Sequence, residues 1–132
     1  MTYLWIALGS AIGGVGRYWC TGLVSERFGD AFPWGTLLVN VMGSFIIGVV
    51  APLSGSLDHP WAPGPEARAF IMVGFCGGYT TFSAFSLQTL HLLRDGQWVP
   101  AVGNVVLSVA VCLIAVWLGY LAGNGLNHVR AS

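Results

Sequence analysis

The sequence predicts an all-α membrane protein with four transmembrane helices, the third of them broken near its middle. Of its 132 residues, 55% are hydrophobic, only 8% are charged and none is lysine, a composition typical of membrane proteins. Four apolar windows, residues 3–24, 33–53, 69–93 and 98–123, each reach the roughly 20 residues that cross a bilayer. They leave little chain for a soluble part, so we predict a single transmembrane domain and a multi-pass protein of the cell (inner) membrane.

The first window is interpreted as a retained helix, because it is too long and too glycine-rich for a signal peptide and no basic residue precedes it. Gly9 and Gly13 have the small-residue spacing that lets two membrane helices approach closely. Arg17 lies inside the end of this window, where an isolated charge is costly. We expect its side chain to extend toward the polar loop at residues 25–32.

The second window carries small and polar residues at intervals of four, which places them along one stripe of a helix: Thr36, Asn40, Ser44 and Gly48. The amide of Asn40 needs a partner at this depth in the membrane. Two interpretations are open, a contact that joins two helices and a donor to a ligand. The loop that follows, residues 54–65, holds His59, which we expect to be solvated.

The third window contains the stretch 74–85, where a glycine pair is followed by Thr80 and Thr81. Paired glycines weaken a helix, and threonine can cap the helix that restarts beyond them. Lipid cannot satisfy the backbone groups that such a break frees, so the break is expected in a buried or polar place. Beyond it, Phe82, Phe85 and Gln88 recur at intervals of three, a pattern open to both a core role and a functional one.

The fourth window presents a further stripe of small polar residues, Asn104, Ser108 and Cys112. The cysteine count is odd, and Cys20, Cys76 and Cys112 all lie in apolar windows. We therefore expect buried thiols rather than disulfides or a metal cluster.

The charges are balanced both in sum and across the membrane. The formal net charge is zero, which argues against nucleic acid as a partner. With four alternating spans, Arg68 and Arg130 share one side, while Arg27 and Arg94 lie on the other. Such a chain has no orientation bias, so oppositely inserted copies would pair as an antiparallel, dual-topology homodimer. A monomer oriented weakly by Arg17 is the alternative.

The side chains within the windows favour passage of a small anion. Neutral donors and ring edges, from Thr36, Asn40, Gln88, Ser108 and the two phenylalanines, suit an anion that is held weakly at each step. Backbone carbonyls freed at the break suit a cation instead. No acidic residue lies inside a window, which weakens the alternative of a proton-coupled exporter of the small multidrug type. Enzyme motifs are absent from the sequence, and a non-transporting membrane scaffold is the third hypothesis.

The stretch 74–86, together with Gly35, Thr36 and Asn40, resembles the small bacterial fluoride channels of the Fluc or CrcB family. That resemblance covers the whole chain. It implies a passive fluoride channel, an antiparallel dimer with two pores, and a central structural sodium ion held by the backbone carbonyls of Gly77 and Thr80. It further implies that Phe82 and Phe85 line the pores, that Asn40 donates to fluoride, and that Ser108 belongs to a polar track.

The chain also departs from the family pattern in four places. Members of the family commonly have glutamate at the position of Gln88, tyrosine at that of Asn104, threonine at that of Ala84, and a hydroxyl at that of Cys112. Glutamine can donate a hydrogen bond, which an ionised glutamate cannot. We therefore expect conduction to be retained.

Overall fold

A computed structural model describes residues 1–53 and 63–131, and the described part is entirely helical. His59 lies outside these residues. The first helix is Thr2–Phe28, the second Trp34–Leu53, and the last Trp98–Ala131. Between them, Pro65–Arg68, Ala69–Cys76 and Gly77–Tyr79 form the first half of a broken third helix, and Phe82–Arg94 forms its second half. No β-strand occurs in the two described ranges.

Three of these helices are long and apolar enough to cross a membrane, which confirms the prediction of an all-α membrane protein. They are Trp34–Leu53, Pro65–Arg94 taken across its break, and Trp98–Val129. The first helix has 27 residues but does not reach the same apolar content, because several glycines and Arg17 interrupt its aliphatic residues.

The first helix packs closely against the first half of the broken helix, through glycines on both. A Cβ added at Gly9 or Gly13 would overlap the carbonyl oxygens of Phe70 or Phe75. From the other side, a Cβ at Gly78 would come within 2.6 Å of the Ser10 carbonyl oxygen. The backbones therefore touch directly, as the spacing of Gly9 and Gly13 predicts.

The second and last helices form the other close pair. Gly48 faces the Val116 carbonyl oxygen, and Gly119 faces that of Phe45. Toward the end of the pair, the Asn127 amide donates to the Pro52 carbonyl over 3.0 Å. At 34 residues the last helix is about 51 Å long, so it extends well beyond a hydrocarbon core of about 30 Å.

All three cysteines are free thiols. Cys76 is buried, whereas Cys20 and Cys112 are half-buried, so the prediction of buried thiols holds fully for Cys76 alone. Cys20 has a structural contact: the buried hydroxyl of Tyr79 donates to its Sγ over 3.4 Å and lies 3.6 Å from the Sδ of Met42. These contacts fix the end of the broken helix's first half between the first and second helices.

Candidate functional site

The break in the third helix is a short extended segment between two helical halves. Ala69–Cys76 form a wide π-helical turn, a feature often found at functional sites. The chain returns to α-helix over Gly77–Tyr79 and then becomes extended at Thr80 (φ −86°, ψ 160°) and Thr81 (φ −155°, ψ 114°). The hydroxyl of Thr81 accepts a hydrogen bond from the Ala84 N–H at 3.1 Å and so caps the second half.

The side chain of Asn40 binds both backbone groups of Thr81. Its Oδ1 accepts from the Thr81 N–H at 2.7 Å, and its Nδ2 donates to the Thr81 carbonyl over 3.1 Å. A helix-joining contact, one of the two interpretations of this amide, is therefore present. An asparagine amide has two N–H donors, so the second one remains for another acceptor.

The break also changes the partners of two carbonyl groups. In a continuous α-helix the Thr81 N–H would bond to Gly77, but here it bonds to Asn40, which releases the Gly77 carbonyl. The carbonyl of Thr80 accepts from Nη1 of Arg17 at 3.3 Å. The expectation that Arg17 extends toward the loop at residues 25–32 is therefore wrong, because the break offers this guanidinium an acceptor inside the fold.

Six of the predicted site residues line one cleft of about 470 Å³, here called the Asn40 cleft: Asn40, Gly77, Thr80, Phe82, Phe85 and Ser108. Cys112 lines it too. The rings of Phe82 and Phe85 are tilted by 46° with their centroids 5.2 Å apart. None of the described residues lining this cleft is acidic or basic, so its polar groups are amides, hydroxyls, a thiol and backbone groups.

Thr36 and Gln88 lie elsewhere. They line a cleft of about 670 Å³, here called the Arg17 cleft, together with Arg17, Thr81 and Ser83. Thr36 is buried, and the Oε1 atom of Gln88 is buried without a hydrogen-bond partner. Thr81 lines both clefts. The break therefore lies between the two clefts, together with the pair of hydrogen bonds from Asn40 to Thr81, here called the Asn40 clamp.

Ser108 takes part in a chain of hydrogen bonds that joins it to Phe85, another residue lining the Asn40 cleft. Its hydroxyl donates to Oδ1 of Asn104 over 3.4 Å, and Nδ2 of Asn104 donates to the Thr89 hydroxyl over 2.9 Å. Thr89 in turn donates to the Phe85 carbonyl over 2.8 Å. Ser108 is therefore joined by hydrogen bonds to the backbone of Phe85, whose ring contacts that of Phe82.

Comparison with known proteins identifies the family. The chain matches the family described as "CrcB-like protein, Camphor Resistance (CrcB)" over residues 4–120. The chain belongs to the CrcB family. Relatives named "Fluoride-specific ion channel FluC" are similar to it over nearly the whole length. They include those of Methylocella silvestris (52% identity, all of both chains), Opitutus terrae (56%, 98% of both) and Rhodospirillum rubrum (53%, 97% of this chain and 98% of the relative).

Membership of the CrcB family agrees with the resemblance inferred from the stretch 74–86 and with the prediction that the chain is not an enzyme. It also places this multi-pass protein in the cell membrane. Three residues that the structure places at the site were not predicted as parts of it: Arg17, Thr81, which was expected only as a helix cap, and Asn104. Asn104 could have been suspected from its stripe with Ser108. The contact of Arg17 with Thr80 spans 63 residues of sequence and leaves no local signal.

Proposed function

We propose that this chain forms a passive, fluoride-selective channel that releases fluoride across the cytoplasmic membrane. The observation that carries the proposal is the full-length similarity, at 52–56% identity, to relatives named fluoride-specific ion channels. The lining of the Asn40 cleft supports it chemically. The free N–H of Asn40 and the positive ring edges of Phe82 and Phe85 can stabilise a small anion after it loses water.

Weak binding at each point is what such a pathway requires, because an ion that is bound tightly does not leave. A neutral lining provides this, since the attraction comes from amide and hydroxyl dipoles and ring edges rather than from a fixed charge inside the cleft. Thr36 and Gln88 extend the proposed pathway into the Arg17 cleft, where Arg17 adds one positive charge near the break.

We further propose four membrane spans and an antiparallel, dual-topology homodimer with two pores. The even distribution of arginines over the two sides supports this. The exposure of the site in a single copy also supports a dimer. Phe82 is 79% exposed, and Gly77, whose carbonyl is released, is exposed too. Lipid offers a carbonyl no hydrogen-bond donor, so we expect a second copy of the chain to cover both residues.

The carbonyls of Gly77 and Thr80 are proposed to hold a structural sodium ion at the dimer centre. Hard cations prefer oxygen ligands, and the described residues contain no cluster of acidic, histidine or cysteine ligands as an alternative. The Gly77 carbonyl is free of its helical donor. The Thr80 carbonyl has a second lone pair beside the bond from Arg17. Bound there, the ion would neutralise carbonyl dipoles where two breaks meet.

The sodium proposal is tested by the thermal stability of the purified protein in sodium compared with N-methylglucamine salts at equal ionic strength. Specific stabilisation by sodium, rising with its concentration, is expected from mass action. Equal stability in both salts would contradict it.

Fluoride efflux from proteoliposomes, measured with ion-selective electrodes, tests the function itself. Selective release of fluoride over chloride is expected, with no need for a pH gradient. Equal chloride release would refute a fluoride channel. Flux driven by a pH gradient would favour the exporter, and absence of any flux would favour the scaffold.

A further inference from the structure

The hydroxyl of Ser108 has only one proton to donate, and the structure assigns that proton to Asn104. Ser108 Oγ lies 3.4 Å from Asn104 Oδ1, although Ser108 also lines the Asn40 cleft. While this bond is present, Ser108 offers the cleft only its lone pairs, which repel an anion.

The orientation of the Asn104 amide follows from its other partner. The Thr89 hydroxyl uses its proton on the Phe85 carbonyl at 2.8 Å, so toward Asn104 it can only accept. The amide nitrogen must therefore face Thr89, at 2.9 Å, and the amide oxygen must face Ser108. Asn104 is only 2% exposed and does not line the Asn40 cleft, so it acts on the cleft through Ser108.

We propose that Asn104 is a positioning residue that determines which anions receive the Ser108 proton. The proposal rests on the proposed fluoride channel. An anion in the cleft has to replace Asn104 Oδ1 as the acceptor of that proton. The bond to be replaced is weak, because its 3.4 Å exceeds the usual length of O–H···O bonds in proteins, about 2.7–2.8 Å. Fluoride, a stronger hydrogen-bond acceptor than an amide oxygen, makes the exchange; chloride, a weaker one, does not.

The consequence is a contribution to selectivity. Without the amide oxygen, the Ser108 proton is free to turn toward any anion, and the cleft loses part of its preference for fluoride. The expected loss in the ratio of fluoride to chloride efflux is about two- to threefold, the effect of one hydrogen bond at the weak end of the usual range.

A double-mutant cycle tests this on the full-length protein in liposomes. Asn104→Leu removes the amide with little change of volume. Its effect is measured first in the unmodified chain, and then in a chain that already carries Ser108→Ala. The efflux ratio is expected to fall in the first comparison and to stay unchanged in the second, since the effect requires the Ser108 hydroxyl. An equal fall in both backgrounds would show a structural role only and would overturn the proposal.

Thr89→Val provides a test that does not depend on the assembly of the Asn104 variant. This nearly isosteric change releases the amide to rotate, and a lower efflux ratio is again expected. Ser86→Ala is the matched control, because Ser86 makes the same bond to a carbonyl four residues back, at 2.9 Å from Phe82, but its hydroxyl has no bond to the last helix. An unchanged ratio in Thr89→Val would overturn the proposal. Absence of fluoride efflux from the unmodified chain would instead refute the channel function.

Discussion

Thr81 is the residue whose hydrogen bonds stabilise the break in the third helix. Its hydroxyl caps the second half of the broken helix at the Ala84 N–H, and both of its backbone groups are bound by the Asn40 amide. Asn40 thereby provides the acceptor that the Thr81 N–H loses at the break, and Arg17 binds the Thr80 carbonyl beside it. The break is consequently a defined structure, with fixed carbonyl directions, rather than a frayed end.

Substitution of Thr81 tests the cap. Thr81→Val keeps the shape of the side chain and removes the hydroxyl, so we expect the protein to lose about 1 kcal/mol of stability, the usual cost of a lost N-cap. Thr81→Ser keeps the acceptor and serves as the control. Thermal unfolding of both variants, followed by circular dichroism in detergent, measures the difference; similar midpoints would mean that the hydroxyl does not stabilise the helix start.

Substitution of Asn40 separates its two proposed roles. Asn40→Ala leaves the Thr81 N–H without a partner, at a cost of about 1–3 kcal/mol for such a group, and also removes the donor to fluoride. We expect a lower unfolding midpoint together with fluoride efflux reduced by about tenfold or more. Ser44→Ala, one turn further along the same cleft, is the control for a small polar change in its lining. A destabilised variant with full efflux would show that Asn40 only joins two helices and does not donate to fluoride.

Among the helices, the contact between the first helix and the broken one is the most sensitive to volume. Gly9 and Gly13 lie against carbonyl groups of the broken helix, so the distance between these backbones depends on the absence of side chains there. The same contact brings Arg17 to the Thr80 carbonyl. A shift of the first helix would therefore change the electrostatics of the break as well as the packing.

Two neighbouring glycines give a matched test of this contact. A Cβ at Gly13 would overlap the Phe75 carbonyl oxygen and lie 2.9 Å from the Tyr79 nitrogen, whereas a Cβ at Gly14 has no neighbour within 4 Å. Gly13→Ala is expected to destabilise the protein by about 1–3 kcal/mol, as overpacking usually does. Gly14→Ala should be neutral or slightly stabilising, because it only replaces a poor helix former. Equal unfolding midpoints for the two variants would show that the helices can separate without cost.

Local chemistry explains what the sequence could predict at this scale. The glycine and threonine pairs predict the break and its cap, since both effects act within one turn. The Asn40 clamp was one of two predictions, because a buried amide needs some partner. The separation of Gln88 from the phenylalanines was missed: three-residue steps rotate around a helix, so Gln88 lies about 120° from Phe82. Only the packing of neighbouring helices decides which cleft each side of this helix lines.

At the scale of the whole molecule, a single copy leaves part of the proposed pathway exposed. Phe82 is 79% exposed, and the sodium proposal assigns two carbonyls of each copy to the ion. The proposed antiparallel dimer, in which the break of a second copy meets the first, would account for both features. Such an assembly forms only if the membrane accepts the chain in both orientations, which the balanced arginines permit.

Charge placement therefore becomes a test of the assembly. Ala31→Lys with Gln97→Lys adds two positive charges to one side, and Thr2→Lys with Ala67→Lys adds them to the other; all four positions are exposed in the structure. Each pair of lysines fixes one orientation, because positive loops stay in the cytoplasm. Either variant expressed alone should lack fluoride efflux in liposomes, since its copies cannot pair antiparallel. Expressed together, the two should restore it, because each supplies the orientation that the other lacks. Full efflux from either variant alone would contradict the antiparallel dimer while leaving the fluoride channel itself untouched.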